Sequence, residues 1–223
     1  MAILQRAVFV ELDYAVLRGM KDYADAASAV LAPHGIQVDP VVFARYFCGK
    51  TGAGAVSAVL AKAGVSAEEG PLVTQILEGY KTALAARVPS VKAVCAKFTP
   101  ALLAKETRII WVTQLPEADV AAMLGDVVKD GVQVITEPCS HLGCYGWENW
   151  RRMCRKLNVH ERLSVAVVGS GLSAKGAIAA GLFAAVCMDP LAQNQDCSGV
   201  DAMVENFGDS LSKEVMRILW QKA

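Results

Sequence analysis

The sequence has no charge surplus: its 22 basic and 22 acidic residues cancel. No overall field therefore draws it toward nucleic acid or an anionic membrane, and neither is expected as a partner. Long apolar runs are missing too. The longest weakly charged stretch, Ser164 to Met188, is broken by Gly169-Ser170-Gly171 and by Lys175, so it reads as strand, turn and helix rather than a bilayer span. The N-terminus holds one Arg and a four-residue apolar run before Glu11, which does not make a signal peptide. Paired cysteines are also lacking. The seven that occur are odd in number and scattered at 48, 95, 139, 144, 154, 187 and 197, in a chain too large to need disulfide staples. That usage fits a reducing compartment, and a cytoplasmic protein is expected.

What is present is enough apolar sequence for a substantial core. The 223 residues are 54% hydrophobic, much of it alanine, which favours helices. The first apolar run, Val8-Phe9-Val10, suits a strand buried on both faces, and Glu11 and Asp13 follow it at once. In an open α/β sheet, ligands bind beyond the carboxyl ends of the strands, which would put both acids at the mouth of a crevice. With a period of two they would point to the same side.

From residue 20 to 88 nothing resembles a strand. Met20 to Leu31 is a helical pattern stopped by Pro33-His34-Gly35, and Asp39-Pro40 is an N-cap for a helix through Phe47. A glycine-rich loop, Cys48 to Gly54, leads into a helical stretch Ala55 to Ala63, and Ser66-Ala67-Glu68-Glu69 opens a further helix to about Val88. The second half alternates. Strands are expected at Arg108–Thr113, Val132–Ile135, Ser164–Val168 and Ala184–Met188, with helices at Glu117–Val128, Trp147–Leu157, Ser173–Leu182 and Ser210–Trp220. This alternation implies an α/β fold, a mostly parallel sheet wound with helices on both faces.

Several local motifs compete for a functional reading. Gly49-Lys50-Thr51 ends like a phosphate-binding loop, but Ala44 stands where its first glycine belongs. Lys50 is left as a substrate contact or a solvated helix-end lysine. Gly169-Ser170-Gly171-Leu172-Ser173-Ala174 matches a dinucleotide fingerprint, with Asp189 about twenty residues on; too little chain follows to complete both nucleotide-binding halves. Cys139, His141 and Cys144, with Cys154 or His160, are metal-ligand types without the paired spacing of structural zinc. Tyr145, Trp147 and Trp150 are either core packing around a helix start or a partner-binding face.

Taken together, these landmarks resemble the haloacid dehalogenase-like (HAD) hydrolases over almost the whole chain. Val8 to Asp13 looks like the first motif, a strand ending in Asp-x-Asp; Ile109 to Gln114 looks like the second, a strand ending in Ser or Thr. Val165 to Ser170, with Ala179-Ala180-Gly181, resembles the fourth. The resemblance implies a Rossmann-like α/β core at residues 1–18 and 89–223 with an inserted all-helical cap domain at 19–88, whose substrate-facing loop falls near Lys50. It also implies phosphatase chemistry: an Asp nucleophile, a second Asp as acid, and a Thr, a Lys and Mg²⁺ neutralising the phosphoryl oxygens.

The sequence departs from that pattern. Glu11 stands for the nucleophilic Asp, Cys144 falls where the Lys is expected, and Ser170 replaces the metal-binding acid; Asp13 and Thr113 match. A methylene added to a nucleophile displaces it by about an ångström, worth on the order of a hundredfold in rate. A hydroxyl is a poor ligand for Mg²⁺. The implied protein is a catalytically impaired HAD-like hydrolase, a pseudoenzyme, without a cofactor. The alternatives are an active phosphohydrolase of altered chemistry, which alone would need Mg²⁺, and the dinucleotide-binding reading. The pocket of Glu11, Asp13, Thr113, Gln114 and Ser170, with Lys50 nearby, would take a small-molecule or phosphorylated ligand. A protein partner or homo-oligomer stays open.

Overall fold

Six short strands, most of them too apolar to face water on either side, set the architecture of the computed structural model, which describes residues 6–103, 105, 107–139 and 141–221. β1 (Ala7–Glu11), β2 (Arg108–Thr113), β3 (Val132–Thr136), β4 (Ser164–Val168), β5 (Phe183–Cys187) and β6 (Ala202–Val204) form one parallel sheet in the order β3-β2-β1-β4-β5-β6. The order reverses at β1, with β2 on one side and β4 on the other. The crevice that opens at such a reversal is where α/β sheets place ligands.

Between β1 and β2 the chain is helical: α1 (Met20–Leu31), α2 (Pro40–Val42) with a wider turn at Phe43–Phe47, α3 (Gly52–Ala63) and α4 (Glu69–Leu103). Asp39 caps α2 by accepting from the Val42 N–H at 2.7 Å, and Thr51 caps α3 by accepting from Gly54 at 3.1 Å. The stretch is thus a helical insertion in a Rossmann-like core. α4 differs from expectation, running through Pro89 and Pro100 instead of ending near Val88. A proline inside a helix costs about 3 kcal/mol. The buried stripe Leu72, Ile76, Tyr80, Leu84 and Val88 continues as Cys95, Phe98 and Leu102, and burying these further side chains works against the cost of the two prolines. One helix therefore packs on α1 and α3 and on β2 and α8 (Asp209–Gln221).

Smaller differences have local causes. The expected helix Glu117–Val128 is α5 (Glu117–Leu124) followed by a tight turn at Gly125–Val127. α6 (Trp147–Leu157) is as expected, but α7 (Gly171–Ala180) begins two residues early, because Ser170 caps it by accepting from the Ser173 N–H at 3.1 Å. β6, three residues at the sheet edge, is too short to carry a pattern. Most consequential, β1 stops at Glu11, and Leu12–Val16 coils into a wide helical turn. The period-two relation between Glu11 and Asp13 is therefore lost.

That turn lies against the end of β4. A Cβ added at Gly169 would sit 2.4 Å from the carbonyl carbon of Tyr14 and 2.5 Å from its oxygen, both backbone atoms. Gly169→Ala is expected to destabilise by about 3 kcal/mol or more in denaturant unfolding. Gly208→Ala, with nothing within 4 Å of the added carbon, serves as the control and should shift stability by no more than about 0.5 kcal/mol. Equal midpoints for the two variants would show that the turn and β4 are not in contact.

Candidate active site

The structure brings Glu11, Asp13, Thr113, Gln114 and Ser170 together at the carboxyl end of the sheet, but not at the mouth of a crevice. Glu11, Asp13, Thr113 and Ser170 are each 0% exposed. The two acids also diverge. Glu11 reaches toward β4 and α7, accepting from the Gly169 N–H at 2.8 Å and from the Ser173 hydroxyl. Asp13 turns toward β2, accepting from the Thr113 hydroxyl at 2.6 Å and the Gln114 N–H at 2.7 Å. All four carboxylate oxygens thus have donors from the chain itself. Ser170 is committed as well: its hydroxyl donates to the Gly143 carbonyl at 2.8 Å while capping α7.

Burial without a cation makes these acids reluctant to ionise. Desolvation pushes Glu11 up to about 8, its bonds from Ser173 and Gly169 opposing and the neighbouring Asp13 charge assisting. Asp13 is raised to about 6, again by burial, with the bonds from Thr113 and Gln114 and the charge of Lys81 opposing. Among the described residues, neither carboxylate has a Lys, Arg or His nitrogen within 4 Å. Cys144 is buried near Glu11, and desolvation lifts its thiol to about 12, so it is a neutral group. Tyr14, Tyr80 and Tyr145 are buried around Asp13, and burial raises each phenol further above its ordinary value.

These atoms do not make a magnesium site. Mg²⁺ takes charged or carbonyl oxygens in octahedral array, whereas the oxygens of Glu11, Asp13 and Ser170 are bonded to donors or carbonyls of the chain. Among the described residues no group of three or more His, Cys, Asp or Glu side chains is placed to hold a metal. In the structure the Cys139 thiol donates to the carbonyls of His141 and Cys144. The dinucleotide reading fails on geometry. A Cβ at Gly171 would meet the Asp196 carbonyl oxygen at 2.5 Å, so Gly169 and Gly171 make room for backbone rather than for a pyrophosphate. Asp189 is buried, accepting from the N–H groups of Met20 at 3.1 Å and Leu191 at 2.9 Å.

Lys50 lies outside this buried cluster. Its loop is tied to the core by a pair of backbone bonds, Gly49 N–H to the Leu142 carbonyl and Leu142 N–H to the Lys50 carbonyl, both 2.8 Å. The loop thereby covers the Gly143–Ser170 contact, and Lys50 lines an open groove of about 500 Å³ with Arg45, Tyr46, Thr51 and His141. Sequence reasoning missed Ser173, the hydroxyl that binds Glu11. The signal was the Ser170-x-x-Ser173 spacing, which marks a helix beginning at 171 with Ser173 facing back over the strand ends.

Neither a protein-family model nor a curated protein sequence matches the chain. Solved structures do. A β-phosphoglucomutase from Clostridium difficile superposes with a TM-score of 0.66 at 11% identity, over 97% of this chain and 99% of that one. A HAD family hydrolase from Deinococcus radiodurans, with bound phosphate and sodium, gives 0.57 at 14% identity over 97% and 95%. A mutant of CbbY from Rhodobacter sphaeroides, in complex with xylulose-(1,5)bisphosphate, gives 0.62 at 16% over 93% and 96%. The chain has the HAD-like hydrolase fold. At these identities the likeness concerns architecture, and in this HAD-like fold the chemistry rests on the residues themselves. No helix among the described residues is long and apolar enough to cross a membrane.

The electrostatics make a pH prediction. A carboxyl raised in the folded state binds its proton more tightly there than when unfolded, so its stability contribution is full below the unfolded value and is lost as pH rises through the folded one. For Glu11 that window runs from 4.5 to about 8, and for Asp13 from 3.8 to about 6. Glu11→Gln removes the ionisation while an amide can still accept from Gly169 and donate to Ser173. The variant should melt higher than the parent at pH 8, with a flatter stability profile between pH 5 and 8. A parent profile that rises through that interval would contradict the burial of a neutral Glu11.

Proposed function

We propose that this protein keeps the HAD-like phosphatase fold without its phosphoryl-transfer chemistry, and that it binds a small phosphorylated ligand rather than turning one over. One observation carries the reading: the four carboxylate oxygens of Glu11 and Asp13 are satisfied from within and sealed from solvent, with no Lys, Arg or His nitrogen within 4 Å of them among the described residues. A nucleophile must reach phosphorus along an open line, and a phosphate dianion needs positive charge around it. Glu11, Cys144 and Ser170 supply neither.

The ligand class rests on charge and on the neighbours. Phosphate and a sugar bisphosphate occupy two of the similar structures. Here the groove lined by Lys50 and Arg45 offers two cations at the surface. Its volume of about 500 Å³ suits a small phosphorylated metabolite.

Two assays test the proposal. With para-nitrophenyl phosphate and Mg²⁺, the parent should show no turnover above background, and Glu11→Asp with Ser170→Asp should recover activity only in part, because Cys144 still leaves the phosphate charge unmatched. In calorimetric titration a small sugar phosphate should bind, and Lys50→Ala should weaken it about tenfold through loss of one charge-assisted bond. Metal-dependent turnover by the parent, abolished by Asp13→Asn, would overturn the first half; binding indifferent to Lys50 would overturn the second.

A further inference from the structure

α6 buries one side and leaves the other bare. Inward, Trp150 sits edge-on to Phe9 of β1 and to Tyr145, with ring centroids 6.1 and 5.7 Å away, and Met153 and Cys154 are buried beside it. Outward, Trp147, Glu148, Arg151, Arg152, Arg155 and Lys156 line an open groove of about 700 Å³. Four cations face one acid there, in a chain whose charges cancel overall. Arg152 is held by Glu137, whose side chain is 6% exposed. Among the described residues, Arg151, Arg155 and Lys156 have no carboxylate within 4 Å.

The fold explains only part of this face. Arg155 and Lys156 sit in the last turn of the helix, where cations suit its dipole. Arg151 stands one turn earlier, four residues from Arg155, where like charges repel. Trp147 is 47% exposed, and the Arg151 guanidinium lies over its ring at 5.3 Å from the centre. Of the three aromatics around the helix start, Tyr145 and Trp150 are core, and Trp147 has no packing role to match its size.

We propose that this face docks an acidic polypeptide segment, its carboxylates paired with Arg151, Arg155 and Lys156 and one apolar side chain laid on the Trp147 ring. Arginine forks take carboxylates two bonds at a time, and Trp and Arg are the residues in which protein interfaces concentrate their energy. A polynucleotide fits less well. Eleven helical residues span only about 16 Å, three uncompensated cations answer about three phosphates, and Glu148 lies among them.

The test uses the full chain and a fluorescent peptide of Asp and Glu with one central Phe, about five residues long so that it runs the length of α6 when extended. Anisotropy should report saturable binding at low salt that weakens with added salt. Arg151→Glu with Arg155→Glu should weaken it at least about tenfold and Trp147→Ala about fivefold. All substitutions are at exposed positions, and the charge-reversed variant should instead gain binding of the equivalent Lys-rich peptide, which a misfolded protein would not. Absence of saturable binding, equal affinity in the charge-reversed variant, or tighter binding of a thymidine oligomer of similar length would overturn the proposal.

Discussion

A carboxyl group held out of water with no cation beside it is the constraint around which this site is arranged. Glu11 ends the central strand, and among the described residues its oxygens accept from the Gly169 N–H and the Ser173 hydroxyl. Neutral donors stabilise a buried carboxylate far less than a metal or an ammonium group would, so the acid stays near its protonated form up to about pH 8. In its turn that acid fixes its surroundings. The end of β4 must come within bonding distance of β1, which requires a glycine at 169, and α7 must begin early enough to present Ser173.

The same closure explains the position of the helical insertion. With the acids satisfied internally, the loop carrying Gly49 and Lys50 can rest directly on the 142–143 segment by paired backbone bonds. Gly49, at φ +72°, comes so close to Leu172 at the start of α7 that an added Cβ would lie 2.5 Å from it. Gln195 ties the arrangement from the other side, accepting from the Leu172 N–H at 3.0 Å and donating to the Cys48 sulfur at 2.9 Å. Loops from four parts of the chain therefore pack over the strand ends, and the open space lies outside them, beside Lys50.

Much of the fold was legible because its signals are local. Val8-Phe9-Val10, Ile109 to Val112 and Val165 to Val168 are apolar enough to be strands buried on both faces, and Asp39 caps a helix by a bond three residues ahead; the cap at Thr51, inside a glycine-rich loop, starts α3 three residues before the expected Ala55. The site was legible as a set of positions but not as a geometry. Glu11 and Asp13 read as neighbours on one strand, whereas the wide turn at Leu12–Val16 sends them to opposite sides. No pattern in the sequence announces such a turn; it is set by the packing of Tyr14 and Ala15, both buried, beneath the loops. The continuation of α4 past Pro89 was hidden for a like reason, since local propensity argued for a stop and tertiary burial of Phe98 against Trp111 and Phe207 overrode it.

The three departures from the phosphatase pattern are not independent. The extra methylene lets Glu11 reach Ser173; Ser170, being a hydroxyl, can cap α7 and still donate to Gly143; and a neutral thiol at Cys144 tolerates the apolar space beside both. Putting an acid at 170 into this arrangement would set a second carboxylate beside Glu11 without a cation, and putting a lysine at 144 would bury an ammonium among thiols and phenols. With the acids sealed inside, exposed cations line the open grooves, Lys50 and Arg45 in one and the arginines of α6 in another.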